Sequence, residues 1–338
     1  MGAVQRYDQS YGDPGLRVVI FGLGSIGGRH ARLLLERGGN EMVVFRSGPK
    51  SVQNSLGIKE VYDWREVAQF SPEISIISNP TEFHIQTAIK CAEMGSALFI
   101  EKPIGSVENG LDQLLEIVDK RKLTSYVAYN LRFHPVVQYL KANTPASGLQ
   151  HYRSECVSRL PSWRPGIDHL EHYSSRRESG GGVVFELSHE LDLAGYLLGD
   201  LGDLHGRSGR VGGVTIDAED FADIQFESAA GVGSIHLNFF SHLNRRSIQM
   251  DYDLNSFYGD LIRNKVVKSE NGVPIFCKDF SSERDTTYRH QFDYFFDNIS
   301  NPAMDNNLIE ASGLFRKILK FRNANTPYID GLDPDNSI

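Results

Sequence analysis

The sequence predicts a two-domain α/β protein: a doubly wound parallel sheet first, then an α+β domain with a largely antiparallel open sheet. Three observations predict it. The chain has 338 residues, more than one hydrophobic core ordinarily serves. From Leu16 to about Ala128, short apolar runs alternate with helix-period segments, as in βαβ units joined by right-handed crossovers. From Leu204 onward, short strand-like runs follow one another without helices between them, as in antiparallel or mixed sheets.

Residues 1–15 are polar and read as a loose arm, without the apolar stretch of a signal peptide. The first domain spans residues 16–129, with strands expected at 16–21, 42–45, 74–77, 97–100 and 124–128. Helices are expected at 26–37, where Gly38-Gly39 stops the first, and at 64–70, 81–94 and 107–121. The second domain spans residues 130–338. It opens with a helix at 135–142, a strand at 150–157 and a polar, aromatic stretch at 158–179. Gly180-Gly181-Gly182 then precedes one helical segment running to about Leu198. Strands at 204–211, 220–227, 232–240, 247–252 and 256–258 follow, and helices at 288–299 and 307–323 close the chain.

Composition excludes several classes. Hydrophobic residues make up 40% and charged residues 23%, as in a soluble globular protein. A net charge of −8 argues against nucleic acid, since a phosphate backbone would be repelled. Cys91, Cys156 and Cys277 are far apart and odd in number, which fits reduced thiols in a cytoplasmic protein and no disulfide framework. No compact set of metal ligands is present, and no run nears the ~20 apolar residues of a membrane helix.

Gly22-Leu23-Gly24-Ser25-Ile26-Gly27 is a GxGxxG between a predicted strand and a predicted helix, the context of a Rossmann dinucleotide site. Gly22 permits the tight turn, and Gly24 lets the backbone of Ser25 and Ile26 approach a pyrophosphate. Gly27 packs the helix close, so that its N-terminal N–H groups face the anion. In NAD-selective folds an acidic residue follows about 20 residues on. Here Arg46 stands 19 residues after Gly27, with Ser47 and then Lys50 following. A guanidinium suits a 2′-phosphate, so NADP(H) is the expected preference, with NAD(H) possible if Arg46 is merely exposed.

Glu101-Lys102-Pro103 directly follows a predicted strand, at the carboxyl end that lines the ligand crevice. A lysine there could stabilise charge developing on a substrate oxygen. At this point the sequence resembles the Gfo/Idh/MocA oxidoreductases. The matching segments are the glycine motif with Phe21 before it, Ser78-Asn79-Pro80-Thr81-Glu82-Phe83-His84, Glu101-Lys102-Pro103 and Asn130-Leu131-Arg132-Phe133-His134-Pro135. Gly180-Gly181-Gly182 followed by His189-Glu190-Leu191-Asp192 is similar to a further motif of that family.

The resemblance implies that Lys102 contacts the reacting hydroxyl near the nicotinamide. Asn79, Pro80, Thr81, His84, Glu101 and Asn130 would border the cofactor, and Arg132 would shape the site. His189 would be the acid/base, with Asp192 one turn on, orienting it or touching substrate. The family often shows Asp, three residues, then His. Here Glu186 and His189 are separated by two, so either Glu186 or His189 could carry the proton. Trp163, Arg164 and Tyr173, with His169, His172 and Arg176, form a stretch suited to grip polar ligands, or else a solvated loop or oligomer contact. The function implied is hydride transfer at a secondary alcohol or ketone of a sugar, sugar nucleotide or cyclitol, in a homodimer or homotetramer. The rivals are a non-catalytic dinucleotide-binding regulator and a lyase or glycosidase with tightly held NAD.

Overall fold

In the computed structural model, residues 15–324 are described apart from 49–53, 146, 164–165, 167, 169–172, 178 and 213. The chain forms two sheets, each with helices packed on it.

The first sheet contains β1 (Arg17–Phe21), β2 (Glu41–Phe45), β3 (Lys59–Val61), β4 (Ile74–Ile77), β5 (Ala97–Ile100) and β6 (Ser125–Val127), with helices α1 (Ser25–Arg37), α2 (Trp64–Phe70), α3 (His84–Glu93) and α4 (Leu111–Arg121). Its order is β3-β2-β1-β4-β5-β6, all parallel. The strands are continuous apolar runs because both faces are covered: Val18, Val19, Ile20, Ile74, Ile76 and Ile77 are fully buried. The chain reverses direction of winding between β1 and β4, and ligands bind at such a switch point, beyond the strands' carboxyl ends.

Then come α5 (Pro135–Asn143), β7 (Leu149–Arg159), α6 (Val183–Glu186), α7 (His189–Leu198), β8 (His205–Gly209), β9 (Phe221–Ser228), β10 (Gly231–Asn238), β11 (Phe240–Tyr252), β12 (Asn255–Asp260), β13 (Lys265–Glu270), β14 (Val273–Asp279), α8 (Thr286–Asp297) and α9 (Leu308–Ala324). The second sheet runs β14-β13-β12-β11-β7-β10-β9-β8. Only β7 and β10 pair in parallel, so the sheet is largely antiparallel, as expected.

Five details depart from the expectation, the first being β3, which no expected strand covers. The helix expected over residues 183–198 is two, α6 and α7, broken at Leu187-Ser188, where Ser188 N–H turns tightly onto Phe185 O. Strand β11 starts at Phe240 instead of residue 247, and a register shift between Phe240 and Arg245 bulges the polar stretch out of the sheet. The hairpin β13–β14 was not anticipated, although Asn271-Gly272, both with positive φ, is a strong hairpin signal. Its second strand is exposed throughout, so no apolar alternation marked it. Finally, α8 returns to the first sheet. Phe292 stacks on Phe99 of β5 with centroids 4.9 Å apart, and Phe295 and Phe296 join the same core.

Candidate active site

The glycine motif behaves as its chemistry requires. Gly22 has φ +88°, and a Cβ there would lie 2.9 Å from Asn79 Cα. A Cβ on Gly27 would lie 2.2 Å from Gly22 O, so α1 packs directly onto the turn. Nothing lies within 4 Å of a Cβ built on Gly24, which faces open space instead. That space is part of a groove of about 920 Å³, also lined by Gly22, Ser25, Ile26, Arg46 and Ser47. Its far side is the turn after β4, with Asn79, Pro80, Thr81 and His84, and the turn after β5, with Glu101 and Lys102. Asn130 closes one end, its amide donating to Thr287 Oγ1 at 2.7 Å.

The residues fit a dinucleotide. Gly24 leaves room for a pyrophosphate at the N-terminus of α1. Asn79 donates to Thr87 Oγ1 at 2.9 Å, while its buried Oδ1 has no partner and so awaits a donor such as a ribose hydroxyl.

Two groove residues fasten the frame. His84 Nδ1 lies 2.9 Å from Pro103 O and Nε2 lies 2.8 Å from Asn79 O, clasping the two turns together. Glu101 pairs with the buried His30 of α1 at 2.5 Å and accepts the Lys102 backbone N–H at 3.2 Å. Arg46 is not simply exposed. Its Nη1 lies 3.0 Å from Glu60 Oε1 on β3. Hydrogen bonds from Asn54 and Tyr62, with the Arg46 cation, hold the Glu60 carboxyl below its ordinary range.

A second cavity of about 590 Å³ opens beside the groove. Lys102, His189 and Tyr288 line both spaces, so they mark where the two meet. Lys102 Nζ donates to the backbone O of Glu186 at 3.0 Å, which leaves two of its N–H donors for a ligand. His189 is the first residue of α7, and its Nδ1 is buried without a partner. Burial, with the Lys102 and Arg246 cations, pushes its pKa well below the ordinary histidine range. Its ring meets Tyr129 edge-on at 5.6 Å. Glu186 also lines the cavity, although the break before α7 puts it on a different helix from His189.

Arg132 and Asp192 are placed otherwise than the sequence suggested. Arg132 forks onto Asp192 with contacts of 2.7 and 3.1 Å, and its Nη1 lies 3.3 Å from Glu310 Oε1. Asp192 is 1% exposed and lines neither space. It binds Arg132 and does not orient His189. Of the gripping stretch, Trp163 lines the cavity, Arg164, His169 and His172 lie outside the described residues, and Tyr173 begins a short 3₁₀ turn.

Several cavity residues escaped the sequence reading. Arg246 lies behind His189, held by Glu190 at 2.7 and 3.3 Å. Tyr288, on α8, carries Arg29 over its ring at 4.6 Å. Arg159 ends β7, and Ser241, His242 and Asn244 come from the β11 bulge. Cys156 also lines the cavity, and burial pushes its thiol up to about 12, which makes it an unreactive wall. Among the described residues, no group of three or more His, Cys, Asp or Glu is placed to hold a metal ion. No described helix is long and apolar enough to cross a membrane.

The first sheet and its glycine turn have the form of a Rossmann nucleotide-binding fold. Residues 16–129 match the family model GFO_IDH_MocA, described as an oxidoreductase family with an NAD-binding Rossmann fold. It is similar to levoglucosan dehydrogenase of Pseudarthrobacter phenanthrenivorans, 24% identical over 66% of this chain and 63% of that one. It is also similar to myo-inositol 2-dehydrogenase of Thermotoga maritima, 24% identical over 55% of each. The match thus spans less than two thirds of either relative. Among solved structures, UDP-N-acetylglucosamine 3-dehydrogenase of Acidithiobacillus ferrooxidans superposes with a TM-score of 0.76 at 18% identity, covering 92% of this chain and 98% of that one. Levoglucosan dehydrogenase in complex with NADH and levoglucosan gives 0.78 at 15%, covering 92% and 97%. These likenesses show a shared fold.

Proposed function

We propose that the protein is an NAD(P)-dependent oxidoreductase acting on a secondary alcohol or ketone of a sugar, sugar nucleotide or cyclitol. The observation that carries this reading is the junction at Lys102 and His189, which face the groove and the cavity at once. A bound nicotinamide dinucleotide supplies or accepts the hydride. The protein does the rest. Lys102 Nζ, steadied by Glu186 O, donates to the reacting oxygen and stabilises its developing charge. His189, neutral at ordinary pH, takes the hydroxyl proton as the carbon loses hydride, and returns it in the reduction. Glu186 is left to bind a substrate hydroxyl. The walls exclude water and fix the sugar, which converts an encounter into a positioned reaction.

Arg46 supports NADP(H) as the preferred form. Glu60 competes for the same guanidinium at 3.0 Å, which narrows the preference so that NAD(H) is taken too. The substrate is a small soluble molecule met in the cytoplasm. The second sheet leaves Val232, Leu243 and Tyr258 exposed, a surface suited to a homodimer or homotetramer.

The test is a thermal-shift titration with the four nicotinamide dinucleotides, since a ligand bound only to folded protein raises the midpoint. The reading expects a concentration-dependent rise that Gly24→Val abolishes, because the added side chain occupies the pyrophosphate's space. No shift with any dinucleotide would overturn it.

A further inference from the structure

The walls of the second cavity carry a charge opposite to that of the chain. The whole protein is net −8. Yet among the described residues three cations, Lys102, Arg159 and Arg246, line this space, with Glu186 as the carboxylate. Arg246 is already answered by Glu190 at 2.7 Å, and Lys102 is tied to the reacting centre. Among the described residues Arg159 is the cation left over. Among the described residues no carboxylate stands within ion-pair distance of it; its Nη1 lies 3.4 Å from His242 Nε2. A guanidinium has five donors and this contact uses one, so the rest can grip an anion that enters the cavity.

The position of Arg159 is built, not incidental. It ends β7, where its register partner is Phe240, and the sheet's register breaks immediately beyond, so the bulge carries His242 and Asn244 into the same cavity. Four residues on, Trp163 is fixed by two contacts. Its indole N–H donates to Ser158 Oγ at 2.9 Å, and its ring meets Phe239 edge-on at 5.2 Å. The indole remains 37% exposed at the cavity. A held aromatic ring beside hydroxyl and amide groups suits the apolar face and rim hydroxyls of a sugar.

We propose that the substrate is an anionic carbohydrate, bearing a carboxylate or phosphate held by Arg159 with His242, its ring lying against Trp163. This rests on the oxidoreductase reading and narrows its substrate class. Arg159 bonds the oxyanion bidentately, which sets the sugar's orientation and brings one ring hydroxyl to Lys102.

The test compares D-glucose, D-glucuronate and D-glucose 6-phosphate, and D-sorbitol with D-gluconate, on the full chain saturated with its dinucleotide. Binding is read by calorimetry and turnover by reduced-nicotinamide absorbance. The expected result is at least tenfold tighter binding of charged members over their neutral partners, weakening as salt is raised. Arg159→Ala removes that advantage while changing neutral-sugar binding less than about threefold, and Arg159→Lys restores part of it. Glucuronate against glucose 6-phosphate tells carboxylate from phosphate. Equal binding of neutral and charged members, or an Arg159→Ala loss shared by both, overturns the proposal. Neutral-sugar turnover with no charge preference would sink the proposal and keep the oxidoreductase. Tight, Arg159-dependent anion binding to a protein that binds no dinucleotide would do the reverse.

Discussion

The groove and the cavity meet at Lys102 but are made differently. The groove is made of backbone. Its shape comes from turns after successive parallel strands and from glycines whose missing Cβ atoms leave room, as at Gly24. The cavity is made of side chains from β7, the α6–α7 break, the β11 bulge and α8, separated by more than a hundred residues of chain. A backbone site tolerates change in its surroundings and binds a shared ligand. A side-chain site is where one member of a family departs from another.

The largest test of that contrast lies behind the cavity. Asp192→Ala leaves the mostly buried Arg132 guanidinium with the half-exposed Glu310 in place of its bidentate partner. Breaking such a pair costs about 3–5 kcal/mol of folding stability. We expect that loss in a denaturant titration, with dinucleotide affinity per folded molecule unchanged. A catalytic Asp192 would give the opposite pattern, activity lost with stability kept.

Next is Lys102→Met, which removes the donor at the junction. Turnover should fall about 10²–10³-fold, with the dinucleotide dissociation constant moving less than about threefold. Equal losses in both would make Lys102 a groove residue only.

The third test is pH. Burial lowers the His134 pKa to about 4, against about 6.5 in an unfolded chain. As pH falls below 6.5 the unfolded state takes the proton first, so stability present above that pH is lost progressively down to about 4. By pH 5 the loss is about 2 kcal/mol. His134→Asn should remove this share while keeping the cap on Val136 N–H. His189, also lowered, adds to the same slope. For the same reason the acid limb of kcat/KM should lie below pH 6.5, not at it.

The smallest effect belongs to the groove. Glu60→Gln frees Arg46 from its counter-charge, and should tighten NADP(H) several-fold with little change for NAD(H). An unchanged ratio would mean that Arg46 does not meet the 2′ position.

The same division explains what was legible in the sequence. Gly22, Gly24 and Lys102 could be singled out because a motif constrains backbone geometry over a few neighbouring residues, and Asn79 came with the family resemblance. His189 was named through the family resemblance, and the one-helix picture of residues 183–198 failed because the break at Leu187-Ser188 carries neither Gly nor Pro. Arg159, His242, Arg246 and Tyr288 were invisible. Each stands in a strand or helix whose local pattern reads the same whether the side chain faces a ligand or water. Tyr288 in particular shares α8 with the core aromatics Phe292 and Phe295. Asp192 was misread because i,i+3 spacing from His189 does not reveal that Arg132, 60 residues earlier, takes it. The hairpin β13–β14 was readable from Asn271-Gly272 and was missed.

The most direct measurement follows reduced-nicotinamide absorbance in wild-type protein given NAD⁺ or NADP⁺ with sugars, cyclitols, sugar acids and sugar phosphates, beside Lys102→Met. Hydride transfer at Lys102 requires that at least one of these compounds drives a rise in the wild type that the variant loses while still binding dinucleotide. Dinucleotide binding with no rise for any compound, or a rise that survives Lys102→Met, would contradict it.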